Sequence, residues 1–523
     1  MWTSTLSLEP PRIFMTRLLG LVWRGAYFAS FAPLRVENRP RQALPASNWV
    51  RVRTTLAGIS SSDLQLVFAD IDPRVAAAAQ PGFGRMAPGR EVVGEVIEVG
   101  EGVQHLQVGN RVVLQYPFNC RAAGLRPLCR SCSSGNYALC EQISFPDPQP
   151  VGGGWSEELL LPEQQLCRLP NSLDDEQAIL LEPAAVALHA VLRRLPLAGE
   201  RVLIIGAGTI GLLTIKLLRA LTSQVEISVE ARYPFQVEQA TRMGADHIIY
   251  PQKSYQDVER VTGAQLLQGL AGNDILVGGY DTIFDTVGTK RTLHDALRWA
   301  RANATLILVG NSLHAMRLDL TPIWHQEIAL VGSTGHGLEE WPIGSGSLRS
   351  TYSLVVELVE QGLLRLDRLV THRFAFNEYR QALLAASNKA ESQAIKIVFD
   401  FTRTPASTVP NVRAARRQPV SARAPVTDMP TPPATKVPQQ PDAPSTPPTP
   451  TPEEVAQWSL VSFDEVAATP TSLVSHASLS HSTGRSPDTT VTKRPSGALL
   501  GMEEGFLSQD DTSVHESTPD ETN

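Results

Sequence analysis

The chain has 523 residues, more than one hydrophobic core usually organises, so two or more folded units are expected. Its hydrophobic fraction of 42% is ordinary for a globular protein. A formal net charge of −7 argues against nucleic acid as a partner and leaves an anionic small ligand open to a locally positive site.

The first apolar stretch, Ile13–Phe31, is interrupted by Arg17, Gly20, Arg24 and Gly25. It falls short of the ~20 unbroken apolar residues of a membrane span and lacks a small-residue cleavage site. It reads as packed surface or a short strand and loop, with no membrane partner and no secretory leader. Residues 47–170 then read as short strands with glycine turns: WVRVRTTLAGI from Trp49, EVVGEVIEVG from Glu91 and VGNRVVLQY from Val108.

Four of the five cysteines follow in one loop. Cys120, Cys129, Cys132 and Cys140 have the spacing C-x8-C-x2-C-x7-C, which suits a closed tetrahedral structural zinc, one per chain. Unligated or redox-active thiols are the alternative. Clustered rather than dispersed cysteines point to a reducing compartment, so the expected location is cytoplasmic. Cys167 stands apart and reads as a simple buried residue.

Residues 200–335 alternate apolar strands with helices, the texture of a parallel sheet covered on both faces. The strands are VLIIG, VEISVE, HIIY, DTIFDTVG and TLILVG; Ile210–Leu221 and Pro234–Met243 carry helical spacing. A helix over Leu348–Gly362, another near Phe376–Ala386 and a last strand, IKIVFDF, complete this part. Beyond Thr402, Pro, Ser and Thr dominate; such a stretch cannot bury enough apolar surface to offset its ordering entropy. Residues 403–523 therefore read as a disordered tail. Its less polar islands, Trp458–Val466 and Leu499–Leu507, are either docking segments for a protein partner or incidental.

The strongest chemical motif is VLIIGAGTIGLL, a G-x-G-x-x-G that follows a strand and opens a helix. Gly206 permits the tight turn, Gly208 lets a pyrophosphate approach the backbone, and Gly211 lets helix and strand pack closely. Thr209 and Ile210 lie within the same turn, whose free N–H groups face the phosphates. Val287, Val309 and Gly310, at the ends of later strands, are expected beside it. The second strand ends Glu230-Ala231-Arg232. Glu230 is the candidate acceptor for the ribose of NAD. Counting back from Met243–Asp246 instead places Ala231 where the acid belongs, and Arg232 next to it is suited to the 2′-phosphate of NADP. The cofactor is NADP or NAD, with NADP preferred.

Together these motifs, with LAGISSSDLQ, PGREVVGEVIEVG, VGNRV, EPAAVALHAV, DTVG and ILVG, resemble the medium-chain dehydrogenase/reductase family in its zinc-type alcohol, threonine and sorbitol dehydrogenase branch. The resemblance covers about Trp49 to Phe401. It implies an α/β protein in which a GroES-like β-barrel catalytic domain (residues 1–171, with the cysteine lobe at about 118–142) is joined to a Rossmann doubly wound parallel sheet (172–337), the chain returning to the first domain at 338–402. It also implies a homodimer or homotetramer and a small-molecule substrate.

Within the resemblance the motif for the catalytic zinc departs. LAGI is followed in the family by Cys-Gly-Ser/Thr-Asp-x-His; here it is followed by Ser60-Ser61-Ser62-Asp63-Leu64-Gln65. The family's Gly-His-Glu triplet is Gly89-Arg90-Glu91. A zinc thiolate, a zinc imidazole and a proton carrier are thus replaced by Ser60, Arg90 and Gln65. Ser62, Glu91 and Glu182 remain. A serine hydroxyl substitutes poorly for a thiolate, and an always-protonated guanidinium cannot ligate a metal. The expected catalytic set is Ser62, Arg90, Glu91 and Glu182, without a catalytic zinc.

Three functions compete. The first is a zinc-independent reductase acting on an activated carbonyl, enone or quinone, with Arg90 and Ser62 stabilising the oxyanion. The second is a non-catalytic dinucleotide-binding scaffold. The third is a zinc alcohol or polyol dehydrogenase with substitute ligands. His189, His247, His325 and His372 receive no role.

Overall fold

The computed structural model describes residues 1–72, 85–115, 118–142, 153–222, 224–270 and 273–403. The expected tail, from residue 404 on, lies outside them. The described chain starts with β1 (Trp2–Ser7), α1 (Pro10–Gly20) and β2 (Leu34–Asn38). β2 pairs antiparallel with β1 in register Trp2↔Asn38 to Leu6↔Leu34. The stretch expected as packed surface or a short strand and loop starts as a helix, on an excursion between two paired strands. Pro10 and Pro11 pre-set its first turn, where their missing N–H groups have no helical partner to lose.

Next come β3 (Trp49–Gly58), α2 (Ser61–Val67), β4 (Arg85–Met86), β5 (Val92–Val99), β6 (Arg111–Leu114), β7 (Glu158–Pro162) and β8 (Leu166–Arg168). β3 is the hub: it pairs antiparallel with β5 over Val50–Ala57 along one edge and with β7 over Trp49–Arg53 along the other. Register shifts between Arg51 and Val52 and between Thr54 and Leu56 let the long strand bend and serve both. Cys167, expected buried, sits half-buried on β8 at the end of this sheet.

α3 (Leu181–Arg193) is apolar on nearly every side and is buried accordingly. It packs on α4 (Thr209–Leu221) in the largest hydrophobic cluster, which draws on both sheets. The second sheet contains β9 (Arg201–Ile205), β10 (Glu226–Glu230), β11 (His247–Ile249), β14 (Tyr280–Asp285), β15 (Ala300–Leu308) and β16 (Ala329–Gly332); a small hairpin, β12 (Gln265–Leu267) and β13 (Ile275–Val277), lies between β11 and β14 in sequence. All six strands are parallel, in the order β11-β10-β9-β14-β15-β16. Connections run outward in opposite directions from β9 and β14, the switch point where a doubly wound sheet opens a crevice at its carboxyl ends. α5 (Pro234–Arg242) follows β10, and α6 (Lys290–Trp299) follows β14.

Two elements differ from the sequence expectation. β16 carries Ala329, Leu330 and Gly332 exposed, so no buried apolar run announces it. The first three residues of the expected Leu348–Gly362 helix form β18 (Leu348–Ser350), paired with β17 (Leu338–Glu340); the helix, α7, spans Thr351–Glu360. The chain then returns through β19 (Val370–Phe374), α8 (Tyr379–Ser387) and β20 (Lys396–Asp400), which pairs antiparallel with β3 and closes the first sheet. Among the described residues no helix is long and apolar enough to cross a membrane.

Candidate active site

A cleft of about 790 Å³ runs between the first sheet's α2 and β20 and the carboxyl ends of β9, β10 and β14. Its dinucleotide half is shaped by close backbone approach. Gly206 has φ +99°, outside the range of ordinary side chains. A Cβ on Gly211 would lie 1.9 Å from the Gly206 carbonyl oxygen, so helix α4 can reach β9 only with glycine there. A Cβ on Gly208 would meet nothing within 4 Å; its N-cap position is open on the side a phosphate would approach. Asp285 accepts the N–H groups of Val287 and Gly288 at 2.9 Å, and Gly310 packs against Val287, holding the loops that face the turn. Thr209, Ile210, Val287 and Val309 line the cleft with Gly206 and Gly208, whereas Gly211 and Gly310 pack behind its surface. This cradle fits a nicotinamide dinucleotide, which supplies hydride chemistry when bound.

At the end of β10, Glu230 lines the cleft, but its side chain is only 3% exposed and bonded bidentately by Arg291 at 2.9 and 3.3 Å. Burial raises its pKa against the pull of Arg291. The expected ribose acceptor is thus also paired with a cation at the start of α6. Arg232 is exposed, lies over the Tyr233 ring at 5.4 Å and has no carboxylate partner among the described residues.

The other half of the site is built by α2. Ser60 is its N-cap: Asp63 accepts from the Ser60 N–H at 2.9 Å and from its hydroxyl at 2.6 Å, and the Asp63 N–H returns a bond to Ser60 Oγ. The other Asp63 oxygen accepts the Gly89 N–H at 3.2 Å, so one carboxylate ties α2 to the Gly89–Arg90 turn. Gly89 has φ +88°, and a Cβ there would strike the buried Trp155 ring, whose indole N–H donates to the Gly58 carbonyl at 2.9 Å. Trp155 thereby fixes the turn that aims Arg90.

Arg90 is exposed, and the surface it presents opens onto the cleft. Its guanidinium donates to Ser62 Oγ, and Ser62 in turn contacts Ser60 Oγ at 2.9 Å. Ser62 is buried and does not line the cleft, which corrects its expected role: it holds Arg90 from behind. Enclosure works against the Arg90 charge, but the carboxylates of Glu182, Asp63 and Glu91 outweigh it and raise its pKa. Glu182, on the first turn of α3, is pushed up to about 7 by desolvation; the Arg90 charge opposes that rise and the Glu91 charge adds to it. Glu91 is held by Lys396, whose ammonium bonds both carboxylate oxygens, one at 2.5 Å, and the Ile59 carbonyl at 3.4 Å. Gln65 donates to the Asn311 carbonyl at 3.1 Å.

This donor set does not suit a catalytic zinc. Ser60 Oγ is committed to Asp63, and two fixed cations, Arg90 and Lys396, already face the three carboxylates. Among the described residues one group of His, Cys, Asp and Glu has the geometry of a metal site: the sulfurs of Cys120, Cys129, Cys132 and Cys140, all buried and within 4.8 Å of one another. Cys120 and Cys140 are 3.6 Å apart, close to the ~3.8 Å edge of a tetrahedron with Zn–S bonds of about 2.3 Å. N–H groups of Glu141 and Cys132 point at Cys129 Sγ, the donor arrangement that supports a metal-bound thiolate. The residues therefore fit a structural zinc, which would order a lobe with little apolar core of its own.

Sequence reasoning missed Asp63, Arg291 and Lys396. Lys396 had a signal, a lone cation inside the apolar strand IKIVF; Arg291 had none. The histidines given no role sit apart from the cleft: His189 pairs with Glu339 at 2.7 Å, and His247 with Glu226 at 2.7 Å.

Residues 46–171 match the alcohol dehydrogenase GroES-like domain, and residues 209–347 the zinc-binding dehydrogenase domain. Sorbitol dehydrogenase of Arabidopsis thaliana is 29% identical over 357 residues, which is 67% of this chain and 88% of that protein. L-idonate 5-dehydrogenase of Vitis vinifera is 29% identical over 317 residues, 60% of this chain and 79% of that one. The crystal structure of 2R,3R-butanediol dehydrogenase from Bacillus subtilis superposes with a TM-score of 0.54 at 26% identity, over 70% of this chain and 96% of that one.

Proposed function

This chain belongs to the zinc-type alcohol and polyol dehydrogenase branch of the medium-chain dehydrogenase/reductase family, and from that premise we propose that it is an NADPH-dependent reductase of activated carbonyls, enones or quinones that works without a catalytic zinc. The observation that carries the proposal is Arg90: a protonated guanidinium opens onto the cleft where relatives place a metal-binding imidazole, and Ser62 and Asp63 brace it.

Gly206, Gly208 and Gly211 would hold the dinucleotide, which would supply the hydride. The chain's own part is electrostatic and acid–base. Arg90 points N–H donors at the substrate oxygen as negative charge builds there, and such a preorganised cation gains most in the transition state. Glu182 retains a proton near neutral pH because it is desolvated, and it delivers that proton to the same oxygen. Lys396 pairs with Glu91 at the wall of the cleft and so neutralises a charge beside the substrate oxygen. Such a site favours reduction of an electron-poor substrate over oxidation of an alcohol, which requires a strongly lowered pKa for the hydroxyl.

NADPH is preferred over NADH in this reading because Arg291 already bonds both oxygens of Glu230, while Arg232, without a carboxylate partner among the described residues, is available to a 2′-phosphate. The same reading takes one structural zinc on the cysteine lobe, a second copy along the edge of β16 that is unpaired among the described residues, and, from the clustered thiols, a cytoplasmic location. The test is NADPH turnover over a quinone and enone panel with chelator-treated protein. Turnover that depends on Arg90 supports the reading. Dinucleotide binding with no turnover above the Arg90→Ala variant assigns the chain to a non-catalytic role.

A further inference from the structure

The excursion between β1 and β2 presents a helix whose outward face is apolar. α1 buries Ile13 and Thr16 against the body, Ile13 packing with Leu6, Leu34 and Ile71. Arg17 donates to the Ile71 carbonyl at 3.1 Å, and Tyr27 meets Phe68 of the first domain edge-on at 4.9 Å, so the excursion is docked. The residues pointing away are Phe14 (67% exposed), Met15, Leu18, Leu21 (82%), Val22 (86%) and Trp23. They follow helical spacing on one face and run on through the helix's C-terminal end. A water-facing helix normally carries polar residues on this side, and a contiguous apolar patch of this kind marks an interaction surface.

Charge says which surface. Residues 9–37 carry Arg12, Arg17, Arg24 and Arg35 against only Glu9 and Glu37, with Arg12 paired to Glu9, so the excursion keeps a positive excess in a chain of net charge −7. We propose that α1 and Leu21–Trp23 dock on an anionic lipid surface, with the apolar side chains in the headgroup–acyl boundary and the arginines at the headgroups. Two copies of this chain meeting through the same face would set Arg17 and Arg24 against their own like charges. The patch is the convex side of a helix rather than a groove that a peptide could enter. The proposal departs from the expectation of no membrane partner: the helix would lie on a membrane and, at 11 residues, is too short to cross one.

The test is flotation of the full chain with vesicles of phosphatidylcholine alone or with about 30 mol% phosphatidylserine. The chain is expected to float with the anionic vesicles, more weakly with the neutral ones, and less well at high salt. Arg24→Gln should weaken anionic-vesicle binding about fivefold, the share of one basic residue near such a surface. Leu21→Glu/Val22→Glu should abolish it; both sites are exposed, and unchanged circular dichroism and NADPH affinity would show an intact fold. Absence of wild-type flotation, or flotation that survives the double substitution, overturns the proposal. So does a wild-type multimer by light scattering that the double substitution splits, which assigns the face to a second copy.

Discussion

Replacing Arg90 by alanine removes the cation on which the reductase reading turns. At an effective dielectric constant of ~20, a unit charge about 4 Å from a developing oxyanion contributes up to about 4 kcal/mol. Removing one preorganised donor of this kind from an enzyme costs about 2.7–4 kcal/mol, or roughly 10²–10³ in kcat. There is a second effect with a definite sign. Glu182 is raised to about 7 by desolvation while Arg90 holds it down. Losing the cation therefore moves Glu182 further up. In the wild type, kcat should fall as pH rises through about 7, because the protonated acid is consumed. In Arg90→Ala the falling limb should move to higher pH on a rate that is about 10²–10³-fold lower. The assay is stopped-flow NADPH oxidation from pH 5.5 to 9 with chelator-treated protein, together with NADPH affinity, which should stay within about twofold because Arg90 touches none of the dinucleotide-binding glycines. A loss of less than about tenfold in kcat, or an unmoved pH limb, would refute the argument.

Further outcomes follow from the same geometry. Glu182→Gln should lower kcat by about 10²-fold and flatten the limb near pH 7, read from the same pH series. Arg232→Ala should weaken NADPH binding by about 1.5–3 kcal/mol while leaving NADH unchanged, measured by fluorescence titration. Arg291→Ala should free Glu230 and shift preference toward NADH; it should also cost about 2 kcal/mol in denaturant unfolding, because a buried carboxylate loses a half-exposed partner. Cys129→Ser should release the structural zinc and lower the melting temperature, read by metal analysis and calorimetry.

The sequence was most legible where one chemistry has few solutions. Gly206, Gly208 and Gly211 can be placed from sequence alone because a strand–turn–helix that admits a pyrophosphate tolerates almost nothing else, and the four cysteines of one loop share one small volume. Arg90, Glu91 and Glu182 also meet at one cleft. What stayed hidden depends on contacts distant in sequence. Arg291 reaches Glu230 across 61 positions, and Lys396 reaches Glu91 across 305, so neither pairing leaves a local pattern. Ser62 illustrates a subtler limit: its place in the motif is visible, but whether its hydroxyl faces substrate or the back of Arg90 depends on how α2 is capped. β16 and α1 escape periodicity reasoning because their exposed faces carry apolar residues, the reverse of the pattern that reasoning relies on.

The central claim is that the positive charge serving the substrate oxygen belongs to Arg90 and not to a metal ion. Zinc content per chain, measured on active protein purified without added metal, tests it most directly. The account predicts about one zinc per chain, lost in Cys129→Ser, with Arg90-dependent reductase activity. Two zinc ions per chain, the second retained when the cysteine lobe is emptied, would contradict it.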